Sequence, residues 1–266
     1  MSEKKINYKL EEKLRFKFGN NWKNFLQNIN KSQIQSAENS LKKMLKRKTF
    51  KNYTFLDVGS GSGLFSLAAK NLGAKVTSFD FDKSSVWCTN KLKNQFYKNN
   101  KNWKIIQGSV LDRNFLTLLG KFDIVYSWGV LHHTGNMRLA MDNIAKLVKK
   151  KGFLFIALYN HQQFATPYWT YIKRAYNKFC FLRPILILIH FLYPTIPSLF
   201  LKFIQNKKIP RGMTIWYDLI DWLGGYPFET SMPENVFDFY KKKKFILINL
   251  KTVGGKLGCN EFVFQR

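Results

Sequence analysis

Leu56-Asp57-Val58-Gly59-Ser60-Gly61-Ser62-Gly63 is the stretch on which the reading of this chain turns. The apolar run Phe55–Val58 before it has the length of a buried strand. After it, Leu64, Leu67, Ala68 and Leu72 recur at helical spacing, and Gly73 closes the helix. Glycines between a strand and a helix let the chain bend sharply and present bare backbone to a ligand. A lone G-x-G would say little. Here an acid stands two residues before the first glycine, and Asp80 stands at the tip of the next strand, Lys75–Phe79. A carboxylate at that tip is placed to accept hydrogen bonds from both hydroxyls of an adenosine ribose.

Outward from this turn, strands and helices alternate. Asp82 is expected to cap a helix carrying Val86, Thr89, Leu92 and Phe96 inward. Trp103–Gln107 reads as the third strand, Leu111–Leu119 as a short helix and Phe122–Ser127 as the fourth strand. A helix with Met137, Met141, Ile144 and Val148 on its apolar side leads to a fifth strand, Gly152–Leu158. Alternation of this kind implies right-handed crossovers and a parallel sheet covered on both faces. Upstream, residues 1–50 read as a polar helical extension. Ser32-Gln33-Ile34-Gln35 has the form of a capping box, with Ile34, Ala37, Leu41 and Met44 on one face. Downstream, Ser231-Met232-Pro233-Glu234 has the same form, and Phe237 and Tyr240 follow on that helix. Phe245–Leu250 and Glu261–Gln265 are two last strands joined by a glycine-rich link.

The turn and Asp80 fit two cofactors, a dinucleotide and S-adenosylmethionine. Asp57-Val58-Gly59-Ser60-Gly61-Ser62-Gly63 resembles the first motif of class I S-adenosylmethionine-dependent methyltransferases. The likeness continues through Ser78-Phe79-Asp80, Gln107-Gly108-Ser109, Phe122-Asp123-Ile124-Val125 and Leu147–Leu158, with the ubiquinone-biosynthesis-like small-molecule group as the nearest flavour. The resemblance implies a Rossmann-like, doubly wound α/β sheet of seven strands with a reversed last strand. Residues 51–266 would form that methyltransferase domain, with N-terminal helices before it and a helical insertion after the fifth strand. It also implies S-adenosyl-L-methionine as cofactor. Gly59, Gly61 and Gly63 would pack under its methionine part, Asp80 would bind the ribose, and residues around Ser109 and Val110 would meet adenine, with Asp57, Ser60, Phe81, Ser127 and Trp128 as further cofactor-binding candidates. Many members have an acid where Ser109 stands, which leaves that adenine contact to the backbone.

Trp128-Gly129-Val130-Leu131-His132-His133-Thr134-Gly135-Asn136 follows the fourth strand, at the sheet edge where open α/β folds bind ligands. Members of the resembling family often hold a histidine at the place of His133, near the transferred methyl. His133 or His132 is therefore the candidate general base, a role worth ~10²–10⁴-fold; the alternative is that the imidazoles shape the loop. Metal-binding ubiquinone-type enzymes carry carboxylates where this chain has Gly129 and His132, so no metal is expected. The Asn/Asp-Pro-Pro-aromatic signature of nucleic-acid amino-methyltransferases is absent after this strand. No cysteine stands next to a proline, as base C5-methylation would require.

From Tyr159 to Thr230 the alternation stops. Pro184–Tyr193 is strongly apolar but shorter than the ~20 residues of a bilayer span. It reads as a helical lid, a membrane-surface element, or both. Arg211, Trp216, Tyr217, Asp218, Asp221, Trp222 and Tyr226 have the texture of a site that grips a polar ring or sugar, with an aromatic core helix as the other reading.

The 266 residues carry a formal charge of +28. Lysine-rich composition accounts for much of it, yet no acidic residue occurs between Asp142 and Asp218, where lysines and arginines accumulate. An anionic surface or acceptor suits that asymmetry. Cys88, Cys180 and Cys259 lie far apart without a C-x-x-C pair, and the charged N-terminus has no apolar stretch behind it. Together these point to a cytoplasmic protein, possible peripheral contact with the inner membrane face included. The expected function is methyl transfer to a small-molecule or lipid/glycan-linked acceptor, at oxygen. An RNA methyltransferase, and a non-catalytic module docking on membrane or nucleic acid, stand as alternatives.

Overall fold

The computed structural model describes residues 29–192 and 215–266 together with Leu14, Phe16 and Leu26; for residues 215–218 it describes the backbone alone. In chain order the elements are α1 (Lys31–Leu45), β1 (Thr54–Val58), α2 (Leu64–Asn71), β2 (Lys75–Asp80), α3 (Lys83–Phe96), β3 (Trp103–Gln107), α4 (Arg113–Leu119) and β4 (Phe122–Trp128). A 3-10 turn, Leu131–His133, precedes α5 (Met137–Lys146) and β5 (Val148–Tyr159). Then come α6 (Ala165–Lys178), α7 (Arg183–His190), α8 (Ile215–Gly224), α9 (Pro233–Lys241), β6 (Ile246–Lys251) and β7 (Cys259–Gln265).

The seven strands form one sheet in the order β3-β2-β1-β4-β5-β7-β6. β1 to β5 pair in parallel, and β7 pairs antiparallel with both β5 and β6. The reversed last strand expected from the resemblance is therefore present. Strand alternation divides the core. Leu56, Val125, Leu154 and Phe264 face one apolar layer with Ile144 of α5 and Tyr240 of α9. Their neighbours Phe55, Ile124, Phe153 and Val263 face the opposite layer with Leu41 of α1 and Leu67 of α2. Strands covered on both faces need apolar residues at every position, which is why β1 and β5 read as continuous runs.

Some local expectations shift. The capping box of α1 begins two residues early: the Asn30 side chain accepts from Gln33 N, and Gln33 answers to Asn30 N. Ser231-Met232-Pro233-Glu234 is no capping box, since Met232 caps α9 without a side-chain bond. Ser231 instead pairs with Asn160 beside the end of β5, a bridge between the two ends of the insertion. In α3 the inward face is Ser85, Cys88, Thr89 and Leu92, while Phe96 is exposed. Asp112, at the start of the expected fourth helix, caps α4 from outside it.

A buried polar chain runs under the glycine turn. Trp103 Nε1 donates to Ser78 Oγ at 2.9 Å, Ser78 Oγ lies 2.6 Å from Ser66 Oγ, and Ser66 Oγ donates to Asp57 Oδ2 at 2.5 Å. An indole can only donate and an ionised carboxylate only accept, so with Asp57 ionised the direction of the whole chain is fixed. Burial pushes the Asp57 carboxyl up to about 7; the Ser66 hydrogen bond opposes this, and the nearby Asp80 charge adds to it. Because the folded-state value is raised, the folded state holds a proton that the unfolded chain has already released. Stability from this group is complete below about 4 and is lost as pH rises through about 7. Comparing urea unfolding of the wild type with Asp57→Asn at several pH values should show a smaller loss in the variant, where only the raised Asp80 carboxyl still contributes.

Candidate functional site

The site assembles at the carboxyl edge of the sheet, where β1, β2, β3 and β4 end. Gly59, Gly61 and Gly63 all have positive φ, +79°, +53° and +84°. At Gly59 the reason is also steric: an added Cβ would stand 2.5 Å from both methyls of Val130. The turn after β1 and the loop after β4 thus touch through bare backbone. The turn is closed by Asp80. Its Oδ2 accepts from Gly61 N at 2.9 Å and its Oδ1 from Asp82 N at 2.9 Å. Burial nevertheless pushes the Asp80 carboxyl up to about 6, the two backbone donors working against that rise. Ser60 Oγ pairs with Thr89 Oγ1 at 3.0 Å, fastening the turn to α3.

The neighbouring positions lie along the same edge. Phe81 follows β2 and is exposed. Ser109 Oγ accepts from Leu111 N at 3.2 Å, so this hydroxyl serves the local turn. The Val110 carbonyl is held by Asn143 Nδ2 at 2.9 Å. Ser127 Oγ donates to Val58 O at 3.1 Å and ties the end of β4 to β1, while Trp128 packs against the core layer of α1 and α2.

The two histidines have separate environments. His132 is fully buried, and its Nδ1 accepts from Tyr159 N at 3.2 Å. That acceptor role places the proton on Nε2, which has no hydrogen-bond partner among the described residues. Burial first, then His133 and Lys173, hold His132 well below the usual imidazole range, so it stays neutral. His133 is half-buried, and its Nδ1 lies 2.7 Å from Pro227 O. A carbonyl only accepts, so Nδ1 carries the hydrogen, and the lone pair of the neutral ring is on Nε2. Gly225 lies against the same ring: a Cβ there would approach His133 Cε1 to 3.0 Å.

The residues proposed to grip an acceptor divide. Arg211 lies outside the described residues, as do the side chains of Trp216, Tyr217 and Asp218. The Asp221 carbonyl accepts from Gly225 N at 2.9 Å, and Tyr226 is buried with its carbonyl accepting from Phe16 N at 3.0 Å. Trp222 packs edge-on against Tyr159 and Trp169, with ring centroids 5.5 and 5.1 Å away. Tyr159 in turn lies 3.8 Å from the His132 ring. The aromatic segment is therefore continuous with the histidine loop.

Sequence reasoning missed Tyr159, Lys173, Gly225 and Pro227. The signal for Lys173 was visible: with Trp169 and Tyr176 it shares the buried stripe of α6, where a lysine is out of place. Among the described residues, no group of three or more His, Cys, Asp or Glu side chains converges as metal ligands would. The open glycine turn with a carboxylate at the β2 tip fits an adenosine-bearing cofactor, since backbone at Gly59 lies where a side chain has no room.

Comparison with known proteins agrees. A family model described as a methyltransferase domain matches residues 28–185. The chain is 29% identical over 139 residues to the ubiquinone biosynthesis O-methyltransferase of Pelagibacter ubique (strain HTCC1062), covering 51% of this chain and 55% of that protein. Against the protein of the same name from Glaesserella parasuis serovar 5 (strain SH0165) it is 30% identical over 105 residues, covering 40% and 44%. The chain thus spans about half the length of the curated relatives it matches. Among solved structures, magnesium protoporphyrin IX methyltransferase (ChlM) from Synechocystis PCC 6803 with bound SAH superposes with a TM-score of 0.57 at 11% identity, covering 98% of this chain and 100% of that one. The same enzyme with bound SAM also gives 0.57, at 10% identity over the full length of both. At such identity the likeness is one of fold. With a family model over more than half its length, the chain belongs to the methyltransferase domain family, and its seven-stranded sheet has the fold of the S-adenosylmethionine-binding methyltransferases it superposes on.

Proposed function

We propose that this chain transfers a methyl group from S-adenosylmethionine to an oxygen of a small-molecule or lipid/glycan-linked acceptor, with His133 as the base. The observation that carries the reading is the Pro227 carbonyl on His133 Nδ1, which leaves the Nε2 lone pair on a loop packed against the glycine turn. The O-methyltransferase relatives support oxygen as the receiving atom.

The cofactor, when bound, supplies an electrophilic methyl on a sulfonium. Gly59, Gly61 and Gly63 would hold its methionine part, Asp80 its ribose, and Ser109 and Val110 its adenine through backbone. The remaining work is orientation and exclusion of water, the main contributions to an in-line displacement. His133 Nε2 would take the hydroxyl proton as the acceptor oxygen is methylated. His132 is the lesser candidate, because its Nδ1 is engaged by Tyr159 N and its Nε2 carries a hydrogen. The segment from 159 to 230 would act as the lid that selects the acceptor. Its described parts begin and end at the bridge Asn160–Ser231, beside the site.

A second reading concerns location. The described part of the insertion exposes large apolar side chains, among them Phe164 (90% exposed), Tyr171 (73%), Phe181 (69%) and Leu188 (59%). Arg174, Lys178 and Arg183 accompany them without any acid. Among the described residues no helix is long and apolar enough to cross a membrane. Such a face suits peripheral contact with an anionic bilayer surface, and with it a lipid-linked acceptor.

Three measurements test these assignments. Calorimetry should find S-adenosylmethionine binding abolished in Gly59→Ala and weakened in Asp80→Ala by about 1.5–3 kcal/mol, the worth of a hydrogen bond to a charged group; preference for NAD in the wild type would refute the cofactor. His133→Ala should lower turnover ~10²–10⁴-fold with cofactor affinity nearly intact. Equal loss of both would make His133 structural. In flotation assays the chain should rise with anionic vesicles at low salt and be released by high salt; no binding at low salt would exclude the membrane reading.

A further inference from the structure

Lys173 is fully buried in α6, and the proposed methyl transfer makes no use of its amine. Its Nζ donates to the Trp222 carbonyl and lies 4.1 Å from the Trp222 ring centroid and 4.9 Å from that of Phe228. Burial pushes this amine down to about 7, while the Asp221 carboxylate pulls the other way. A methionine would fill the same space without desolvating a charge. What the amine adds is direction.

Trp222 belongs to the last turn of α8, whose final carbonyls have no partner within the helix. Lys173 Nζ takes the carbonyl of Trp222, and a cation at a helix C-terminus also complements the dipole. One turn further along α6, Asn177 Nδ2 donates to Gly224 O at 2.8 Å. α6 therefore caps α8 from outside through two side chains. The capped end runs directly into Gly225-Tyr226-Pro227-Phe228, the segment that covers His133. Gly225 packs on its imidazole, Pro227 O holds its Nδ1, and the Phe228 ring is a wall of the Lys173 amine. Phe228 also packs on Tyr159, 5.3 Å away, and Tyr159 on His132.

We propose that Lys173 is a positioning residue: by capping α8 at Trp222, it holds residues 225–228 where the Pro227 carbonyl selects the Nδ1–H tautomer of His133. Asn177 is the second pin of the same device. The catalytic consequence rests on His133 being the base, but the positioning does not. A cap that slips by even part of a turn moves Pro227 O off Nδ1, and the ring then distributes its proton over both nitrogens.

The chain has four histidines, few enough to resolve by long-range 1H–15N spectra of ring-labelled protein, with His→Gln variants as assignments. In the wild type, neutral His133 should show the single Nδ1–H pattern. In Lys173→Met and in Asn177→Ala that pattern should be lost in favour of a tautomer mixture, with His161 unchanged and S-adenosylmethionine affinity retained. His161 is the internal control because its Nδ1 partner, Thr230 Oγ1, lies outside the capped segment. Should Lys173→Met fail to fold, Asn177→Ala decides alone, its side chain being only half-buried. A wild-type His133 pattern in the folded variants overturns the proposal. If the tautomer changes while His133→Ala leaves turnover intact, the positioning stands and the base assignment falls.

Discussion

Position 59 has no room for a side chain, and much of the site follows from that. β1 and β4 are neighbours in the sheet, so the turn after one and the loop after the other leave the same edge and meet, Gly59 against Val130. That contact brings a loop bearing two histidines within a few residues of a turn built for a nucleotide-like ligand. Any Cβ at 59 would push the two apart, besides straining a backbone with φ of +79°. Asp80 then fixes the turn from the other side through Gly61 N.

Behind this edge the molecule buries polar groups, each with a positional task. The Trp103–Ser78–Ser66–Asp57 chain links β3, β2, α2 and β1 beneath the turn, and with Asp57 ionised every member but the last donates to the next. Burying a carboxylate this way is costly, as its raised value shows, and a fully connected network limits that cost. His132 is set by one backbone N–H and by Tyr159 stacking on its ring. Aromatic packing then carries the contact from Tyr159 through Trp222 to Trp169, joining the histidine loop to the helices of the insertion.

The site was legible in part. Glycines and acids at fixed offsets from a strand advertise the turn and Asp80, because the backbone conformation itself demands those residue types. The histidines were equally visible, but not their difference. Two adjacent imidazoles look alike in a sequence, and only their partners, Tyr159 N for one and Pro227 O for the other, assign the tautomers. Ser231 shows the opposite error: its spacing to Glu234 suggested a capping box, whereas its backbone joins Asn160 in a bridge. Local pattern there lost to a tertiary pairing.

What the sequence determined by itself was the order of elements, the parallel sheet and the edge at which the glycine turn and Asp80 stand. All of these arise from short-range requirements: strand and helix periodicity, turn glycines, and an acid at a strand tip. What only the tertiary structure decided was which side chains meet across long separations. His133 and Pro227 are 94 residues apart, and Lys173 and Trp222 are 49. Hydrogen-bond direction and burial depend on those meetings. A lysine on an apolar stripe is an anomaly in the sequence and becomes a helix cap only once α8 is folded against it.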